Sequence, residues 1–243
     1  MTEDRCRELR RVLATGDARG AVSAADVAGI KTAPQLAGDA LLLALALGVT
    51  GACELASRCA AALRDRGWDG DAELALELDA GCGVGEPELL EDIVVDLEEL
   101  AGLLDAGMES AGGRVDLATG EVWPEFVLEE AWSGDDADLE DEDRWLYVPP
   151  VGSRPAYVDM VDFIATRGSR ELVTQLEIAV EGRGAFRRFK NVLIDWPDDR
   201  EDWFTFSDER RRGRARAWLA DAGYRAIVRT RPRPVASGER RPN

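Results

Sequence analysis

The sequence predicts an α+β protein that is mostly helical, with N-terminal helical hairpins followed by a small module of strands and helices. Two observations carry this prediction. Apolar residues recur at helical spacing through most of the first 108 residues and again after residue 155. Between these stretches, short β-prone runs alternate with turn-forming residues. We therefore divide the chain into a helical region 1–108, an α+β module 113–230 and a basic tail 231–243 that we expect to be disordered.

Within the helical region, start and stop signals place individual helices. Pro34 precedes an apolar helix predicted at 36–47, and Gly67 ends a second helix that carries Cys53, Ala56, Ala60 and Leu63 on one stripe. A short helix is predicted at 72–78. Pro87 fits the first position of a long helix at 88–104, because Leu89, Ile93, Leu97, Leu100 and Leu104 would form one apolar stripe.

The module begins with signals for strands. Residues 115–117 and 121–123 flank an Ala-Thr-Gly turn and predict a β-hairpin, and 144–149 predicts a third strand. Helices follow after Pro155, with Ser169 and Ser207 as expected N-caps of two of them. Residues 224–230 are predicted to form a short edge strand.

Composition excludes several kinds of chemistry. The 243 residues contain no histidine, which removes serine–histidine and cysteine–histidine nucleophiles and the commonest transition-metal ligand. The four cysteines have no close metal-type spacing. Because the sequence shows no secretion signal, we interpret them as reduced thiols, three of them facing the core. We predict neither a metal site nor a cofactor.

The sequence also predicts no targeting signal. The N-terminus "MTEDRCRELRR" has no apolar stretch behind its charges, which predicts no signal peptide. The longest apolar run, 40–49, is about half of the roughly 20 residues needed to span a bilayer. The sequence therefore predicts a cytoplasmic protein without membrane association.

Charge is distributed unevenly along the chain. The formal net charge is −18, yet residues 183–243 carry 16 Lys and Arg against 9 Asp and Glu. The segment "GRGAFRRFKNVL" concentrates this charge. On a helical wheel Ala185, Phe186, Phe189, Val192 and Leu193 share a core-facing sector, and the cations lie outside it. The basic side is either a solvated face or a contact for an anionic partner.

The segments "DLATGEVW", "AYVDMVDFI", "GRGAFRRFKNVL" and "WFTFSDERRRGRARAWLADAG", in that order, resemble a bacterial group known as uncharacterised protein family 0158. The resemblance covers about residues 114–223. It implies a compact α+β module and a bacterial origin, and it implies no activity, cofactor or catalytic residue.

Three functional hypotheses follow. The first is a non-enzymatic binding or regulatory protein that contacts a protein partner. The second is nucleic-acid association through the phosphate backbone. Both would use a set of seven cations: Arg183, Arg187, Arg188, Lys190, Arg210, Arg211 and Arg214.

The third hypothesis is a small-molecule site, for sequestration or for an unrecognised reaction. Six of the seven tryptophans lie in the module, and a cleft between them would be lined by Trp145, Asp159, Asp162 and Trp203. Asp159 and Asp162 share one predicted helix, so they also form a candidate carboxylate pair for acid–base chemistry.

Overall fold

The computed structural model describes residues 2–86, 89–106, 112–131, 139 and 141–227. Its helices are α1 Thr2–Thr15, α2 Ala18–Ala24, α3 Val27–Thr32, α4 Pro34–Ala46, α5 Ala52–Arg66, α6 Asp71–Gly81, α7 Leu97–Leu104, α8 Glu125–Ala131, α9 Arg154–Ala165, α10 Arg170–Val180, α11 Ala185–Leu193 and α12 Pro197–Asp221. Its strands are β1 Glu91–Ile93, β2 Gly113–Asp116, β3 Val122–Pro124, β4 Trp145–Val148 and β5 Tyr224–Ala226. The mostly helical α+β fold is confirmed.

The strands form two small sheets. In the first, β2 is central and pairs antiparallel with β3 and β4, so the predicted hairpin and third strand are confirmed. In the second, β1 pairs in parallel with β5, with Ile93 opposite Ala226. The start of the predicted edge strand is thus confirmed, and residues 228–230 lie outside the described part.

Two predictions about helix ends are wrong. The helix predicted at 88–104 begins only at Leu97, where Asp96 accepts from the N–H groups of Glu98 and Glu99, because 91–93 pair with β5 instead. The last helix does not begin at Ser207. It starts ten residues earlier at Pro197, with Asp198 and Asp199 in its first turn. The Ser169 cap is confirmed, since its hydroxyl accepts from the Leu172 N–H.

Three buried apolar clusters form the core. The first joins the helices α1–α6, and the second joins β1, α7, β2, β4, β5 and the end of α12. The third joins α9, α10, α11 and the start of α12 around Phe163 and Phe189. Helix α12 packs against α1, α4, α6 and α7 as well as α9 and α11. The division into a region 1–108 and a module 113–230 stays a prediction.

The cysteines differ from the prediction of four reduced thiols. Cys53 in the first turn of α5 and Cys82 at the end of α6 form a disulfide, with their Cα atoms 5.5 Å apart. Packing of these two helices against each other brings the pair together. Cys6 and Cys59 are free and buried.

No helix in the part of the chain that the structure describes has the length and apolar character needed to cross a bilayer. The disorder predicted for 231–243 concerns residues outside that part.

Candidate functional site

The basic segment before and within α11 lies on the surface, as the helical wheel predicts. Ala185, Phe189 and Leu193 are buried, and Phe186 and Val192 pack partly buried against the third cluster. Gly184 (φ 78°) starts the helix in the left-handed region that suits glycine. Phenylalanines that face the core cannot stack on bases.

Three of the predicted cations stand free on this face. Arg183, Arg187 and Lys190 are exposed, and none of them forms an ion pair with a carboxylate among the described residues. Asn191 and Ile194 are exposed on the same side, and Ile194 is 59% exposed. Residues 187, 190, 191 and 194 fall at helical spacing, so they form one continuous stripe. We call Arg183 and this stripe the α11 basic face.

Arg188 has a different role from its neighbours. Its Nε donates to the Ala179 carbonyl oxygen at 3.1 Å, and its terminal nitrogens donate to the carbonyl oxygens of Glu181 and Arg183. These carbonyls lie at the end of α10 and in the turn that follows it, where helix geometry leaves acceptors without partners. Arg188 therefore fixes the α10–α11 turn.

The three predicted cations of α12 are paired with carboxylates of other segments. Arg210 donates to Asp159 at 2.8 Å and Arg214 donates to the same carboxylate at 3.0 Å. Arg211 is paired with Asp105 of the segment after α7. The side chains of Arg210 and Arg214 are only 15% and 16% exposed.

The seven-cation set thus divides into three parts. Arg183, Arg187 and Lys190 have no carboxylate partner among the described residues, and Arg188 binds backbone carbonyls. The three arginines of α12 are paired internally.

The same contacts place the predicted carboxylate pair. Asp159 is 1% exposed and binds two arginines, and Asp162 accepts from Arg210 at 3.2 Å. Both carboxylates are therefore held in ion pairs with an arginine of α12, which favours a structural role for them. Acid–base chemistry at this pair stays a prediction.

The two tryptophans of the predicted cleft lie in different parts of the fold. Trp203 is 7% exposed and packs edge-to-face with Phe189 and Phe163, at ring separations of 4.7 and 5.2 Å. Trp145 is 5% exposed on β4, opposite Asp116, and the Arg144 guanidinium lies 5.1 Å from its ring centre. Both rings are buried, and the tryptophan-lined cleft stays a prediction.

A buried polar network that the sequence analysis missed connects α12 to the N-terminal helices. Glu209 is 4% exposed and accepts from the backbone N–H groups of Gln35 and Leu36, at 2.8 and 3.0 Å. It also pairs with Arg66, which binds Asp71 as well. Burial raises the pKa of Glu209 against the opposing influence of Arg66 and the two N–H groups.

The second half of the network surrounds Asp39 on α4. Arg212 and Arg216 both pair with this carboxylate, and Arg216 also reaches Glu77. Burial alone would raise the pKa of Asp39, but the two guanidinium groups hold it below its usual value. For Glu77 the outcome is opposite, and burial raises its pKa.

Neither free thiol has the character of a nucleophile. Burial raises the pKa of Cys6 and of Cys59, which lowers the population of the reactive thiolate. Among the described residues, no group of three or more acidic or cysteine side chains is arranged to hold a metal ion.

Comparison with known proteins establishes the family. The sequence model of an uncharacterised protein family, UPF0158, matches residues 134–235. A UPF0158 protein of Pseudomonas aeruginosa is 30% identical over 146 residues, which are 59% of this chain and 92% of that protein. The chain belongs to UPF0158. No solved structure matches it.

The UPF0158 match contains the α11 basic face and all of α12, and it leaves out α1–α6. The resemblance stated from the sequence motifs is therefore confirmed, with its boundaries moved towards the C-terminus.

In α12 the arginines alternate with small residues, in the run "RRRGRARA". Small side chains let backbones approach closely, so the glycine and alanines of this run are the signal that α12 packs against other helices.

Proposed function

We propose that this UPF0158 protein is a non-enzymatic binding or regulatory protein of the cytoplasm, and that it contacts an acidic protein partner through the α11 basic face. The observation that carries the proposal is the contrast between two groups of cations. Arg210, Arg211 and Arg214 have internal carboxylate partners, whereas Arg183, Arg187 and Lys190 have none among the described residues.

The chemistry of the face supports a protein partner. Three cations beside an exposed isoleucine combine long-range attraction for acidic groups with apolar area to bury. Such charges chiefly accelerate association and select partners of opposite charge.

The test compares partners captured from the native bacterium by three forms of the full chain. In the first variant Arg183, Arg187 and Lys190 are each changed to Glu. In the control variant Arg19, Lys31 and Arg154 are changed to Glu; these are also exposed and have no ion pair with a described carboxylate. The α11 variant and the control variant carry the same net charge, and melting curves establish that each of them is folded.

We expect one or more acidic proteins to be recovered by the wild type and the control variant, and at least tenfold less by the α11 variant. Equal recovery by all three forms would show that the α11 basic face is not the contact. Arg188 is left unchanged because its loss would disturb the α10–α11 turn.

One observation favours nucleic acid as a second candidate. Helices α10 and α11 pack against each other across a four-residue turn that contains Arg183, and Arg187, Lys190 and Asn191 lie on the second helix. A helix-turn-helix presents its second helix to DNA in this way. Gel shifts with duplex DNA at low salt test it, and three phosphate contacts predict a log–log salt slope of about −2.7. Absence of binding at 50 mM salt would remove this candidate.

A further inference from the structure

Helix α10 carries a charged surface of its own beside the α11 basic face, and its charge is opposite. Its carboxylates are exposed, and none of them forms an ion pair within the part of the chain that the structure describes. Thr174 and Ile178 are exposed on the same side. These positions recur at helical spacing, so they share one side of the helix and of the residue that follows it. We call this surface the α10 acidic face; it consists of Glu171, Thr174, Glu177, Ile178 and Glu181.

A cation also lies on this side of α10, at the end away from α11. Arg170 begins the helix and is exposed next to Glu171. From there to Glu177 the helix rises by about 10 Å. Glu177 and Glu181 lie on either side of Ile178 at the other end of α10, so the surface nearest the α10–α11 turn stays negative.

The α10 acidic face and the α11 basic face match each other in chemistry but do not pair within the chain. The two helices pack together through the third apolar cluster. Even so, no carboxylate of the α10 acidic face forms an ion pair with a cation of the α11 basic face, although the structure describes all of these residues. Each face also includes an exposed isoleucine, since Ile178 is 65% and Ile194 is 59% exposed. Two such faces on different molecules would join opposite charges and bury apolar area together.

A surface that contains both members of such a pair is complementary to itself. In a twofold dimer each contact occurs twice. Helix α10 of one copy then meets α11 of the other, and α11 of the first copy meets α10 of the second. One arrangement therefore covers both charged faces of both copies.

We infer that the α10 acidic face of one copy binds the α11 basic face of a second copy, and that the protein forms a twofold dimer in this way. The inference rests on the proposed function, because it names the acidic partner of the α11 basic face. That partner is the same chain, whose own formal net charge is −18.

The size of the two faces and the charge of the whole chain make the dimer weak. Helices of 11 and 9 residues are only about 16 and 14 Å long. Interfaces of this size belong to the weak class, which buries less than about 1,200 Å². Repulsion between the acidic remainders of the two copies is screened beyond about 8 Å at 0.15 M salt, whereas charges in contact across the interface still attract.

Sedimentation velocity of the full chain tests the inference, over about 5 to 500 µM because the interface is weak, and at about 0.15 M salt. The α11 variant of the capture experiment has two acidic faces. An α10 variant has two basic faces, since it carries Glu171→Lys, Glu177→Lys and Glu181→Lys. Melting curves establish that each variant is folded.

Each variant has a control with the same change of charge at other sites. For the α11 variant this is the control of the capture experiment. For the α10 variant it carries Asp65→Lys, Glu129→Lys and Glu130→Lys, which replace exposed carboxylates of α5 and α8 that have no ion pair with a described residue.

We expect the wild type and both controls to change from the 26.5 kDa monomer to a species of twice that mass as the concentration rises. The α10 variant alone and the α11 variant alone should associate at least tenfold more weakly, because like charges then meet. An equal mixture of the two variants should form a mixed dimer, because opposite charges meet again at both contacts. Loss of the fold cannot produce this recovery.

A second measurement needs no variant. Carbodiimide labels exposed carboxylates with an amine, and mass spectrometry locates the labels. In the wild type we expect labelling of Glu171, Glu177 and Glu181 to fall at least threefold between the lowest and highest concentrations. Labelling of Glu129 and Glu130 should stay constant. Equal labelling of all five at both concentrations would contradict the inference even if a charge variant did not fold.

Three results of the sedimentation experiment would overturn the inference. A wild type that remains monomeric at the highest concentration does not form the dimer. A dimer that persists in both charge variants uses another surface. A mixture of the two folded variants that remains monomeric shows that the two faces do not bind each other. If the wild type is monomeric but only the α11 variant loses a captured acidic protein, the proposed function stands and its partner is a different protein.

Discussion

Arg216 of α12 and Asp39 of α4 form an ion pair in which only 2% and 5% of the two side chains are exposed. Burial alone would lower the pKa of Arg216, but Asp39 and Glu77 raise it above its usual value, so the guanidinium stays charged. A charge in this position is stable only while its partners are present.

Replacing Arg216 by Met should therefore destabilise the protein by about 3–5 kcal/mol, because Asp39 and Glu77 lose a buried counter-charge. Urea denaturation gives the free energy of unfolding. The matched control is Arg58→Met, since Arg58 pairs with Glu54 on the exposed side of α5. We expect that change to stay within about 0.5 kcal/mol. A loss below 1 kcal/mol for Arg216→Met would contradict a structural role for the pair.

Gly213 should tolerate no side chain. A Cβ at this position would lie 2.1 Å from the Asp69 carbonyl oxygen, which belongs to the turn before α6. Gly213→Ala must push α12 away from this turn, so we expect a loss of about 1–3 kcal/mol from overpacking. In Gly102→Ala, on α7, the new Cβ meets nothing within 4 Å. That change should instead stabilise by about 0.5–1 kcal/mol. Two thermal melts decide the prediction, and equal melting temperatures would refute it.

The Cys53–Cys82 disulfide should stabilise the helical region. Closing a loop of 29 residues restricts the unfolded chain and contributes about 3–4 kcal/mol. We expect dithiothreitol to lower the melting temperature of the wild type and to leave a Cys53→Ser/Cys82→Ser variant unaffected. Alkylation followed by mass spectrometry, without reductant, should modify only Cys6 and Cys59, and only on unfolding. Four modified cysteines in unreduced protein would show that the disulfide does not form.

Glu209 should make stability depend on pH. Burial raises its pKa in the folded state above 4.5, so the folded protein binds this proton more tightly than the unfolded chain. Its contribution to stability is therefore complete below pH 4.5 and is lost as the pH rises through the folded pKa. Relative to a Glu209→Gln variant, the wild type should gain stability as the pH falls from 7 to 4.5. Urea titrations across this range measure the difference, and a constant difference would contradict the assignment.

Local signals predicted the elements that depend on neighbours in the sequence. The β2–β3 hairpin follows from its Ala-Thr-Gly turn, in which Gly120 has a φ of 72°, and α10 follows from the Ser169 cap. The helix predicted at 88–104 failed because Ile93 fits a helical stripe equally well. Its real partner is Ala226, which lies 133 residues further on and leaves no trace in local periodicity.

At the candidate site, too, the sequence predicted local features but not contacts between distant residues. The outward direction of Arg187 and Lys190 follows from a helical wheel, because α11 has one apolar side. The internal pairing of Arg210 and Arg214 does not, because their partner Asp159 lies on another helix, some 50 residues away in the sequence. Ser207 was expected to cap a helix that in fact runs on either side of it. Its neighbour Glu209 caps α4 instead, by accepting from Gln35 and Leu36.

The separation of Asp39 from Arg216 has a consequence for biosynthesis. The ribosome adds Arg216 177 residues after Asp39, and Arg212 only slightly earlier. Throughout that interval α4 carries a carboxylate whose folded position lacks its counter-charges. The ion pairs between α4 and α12 can therefore form only after α12 has been synthesised, and α12 is the last long helix of the described chain to emerge.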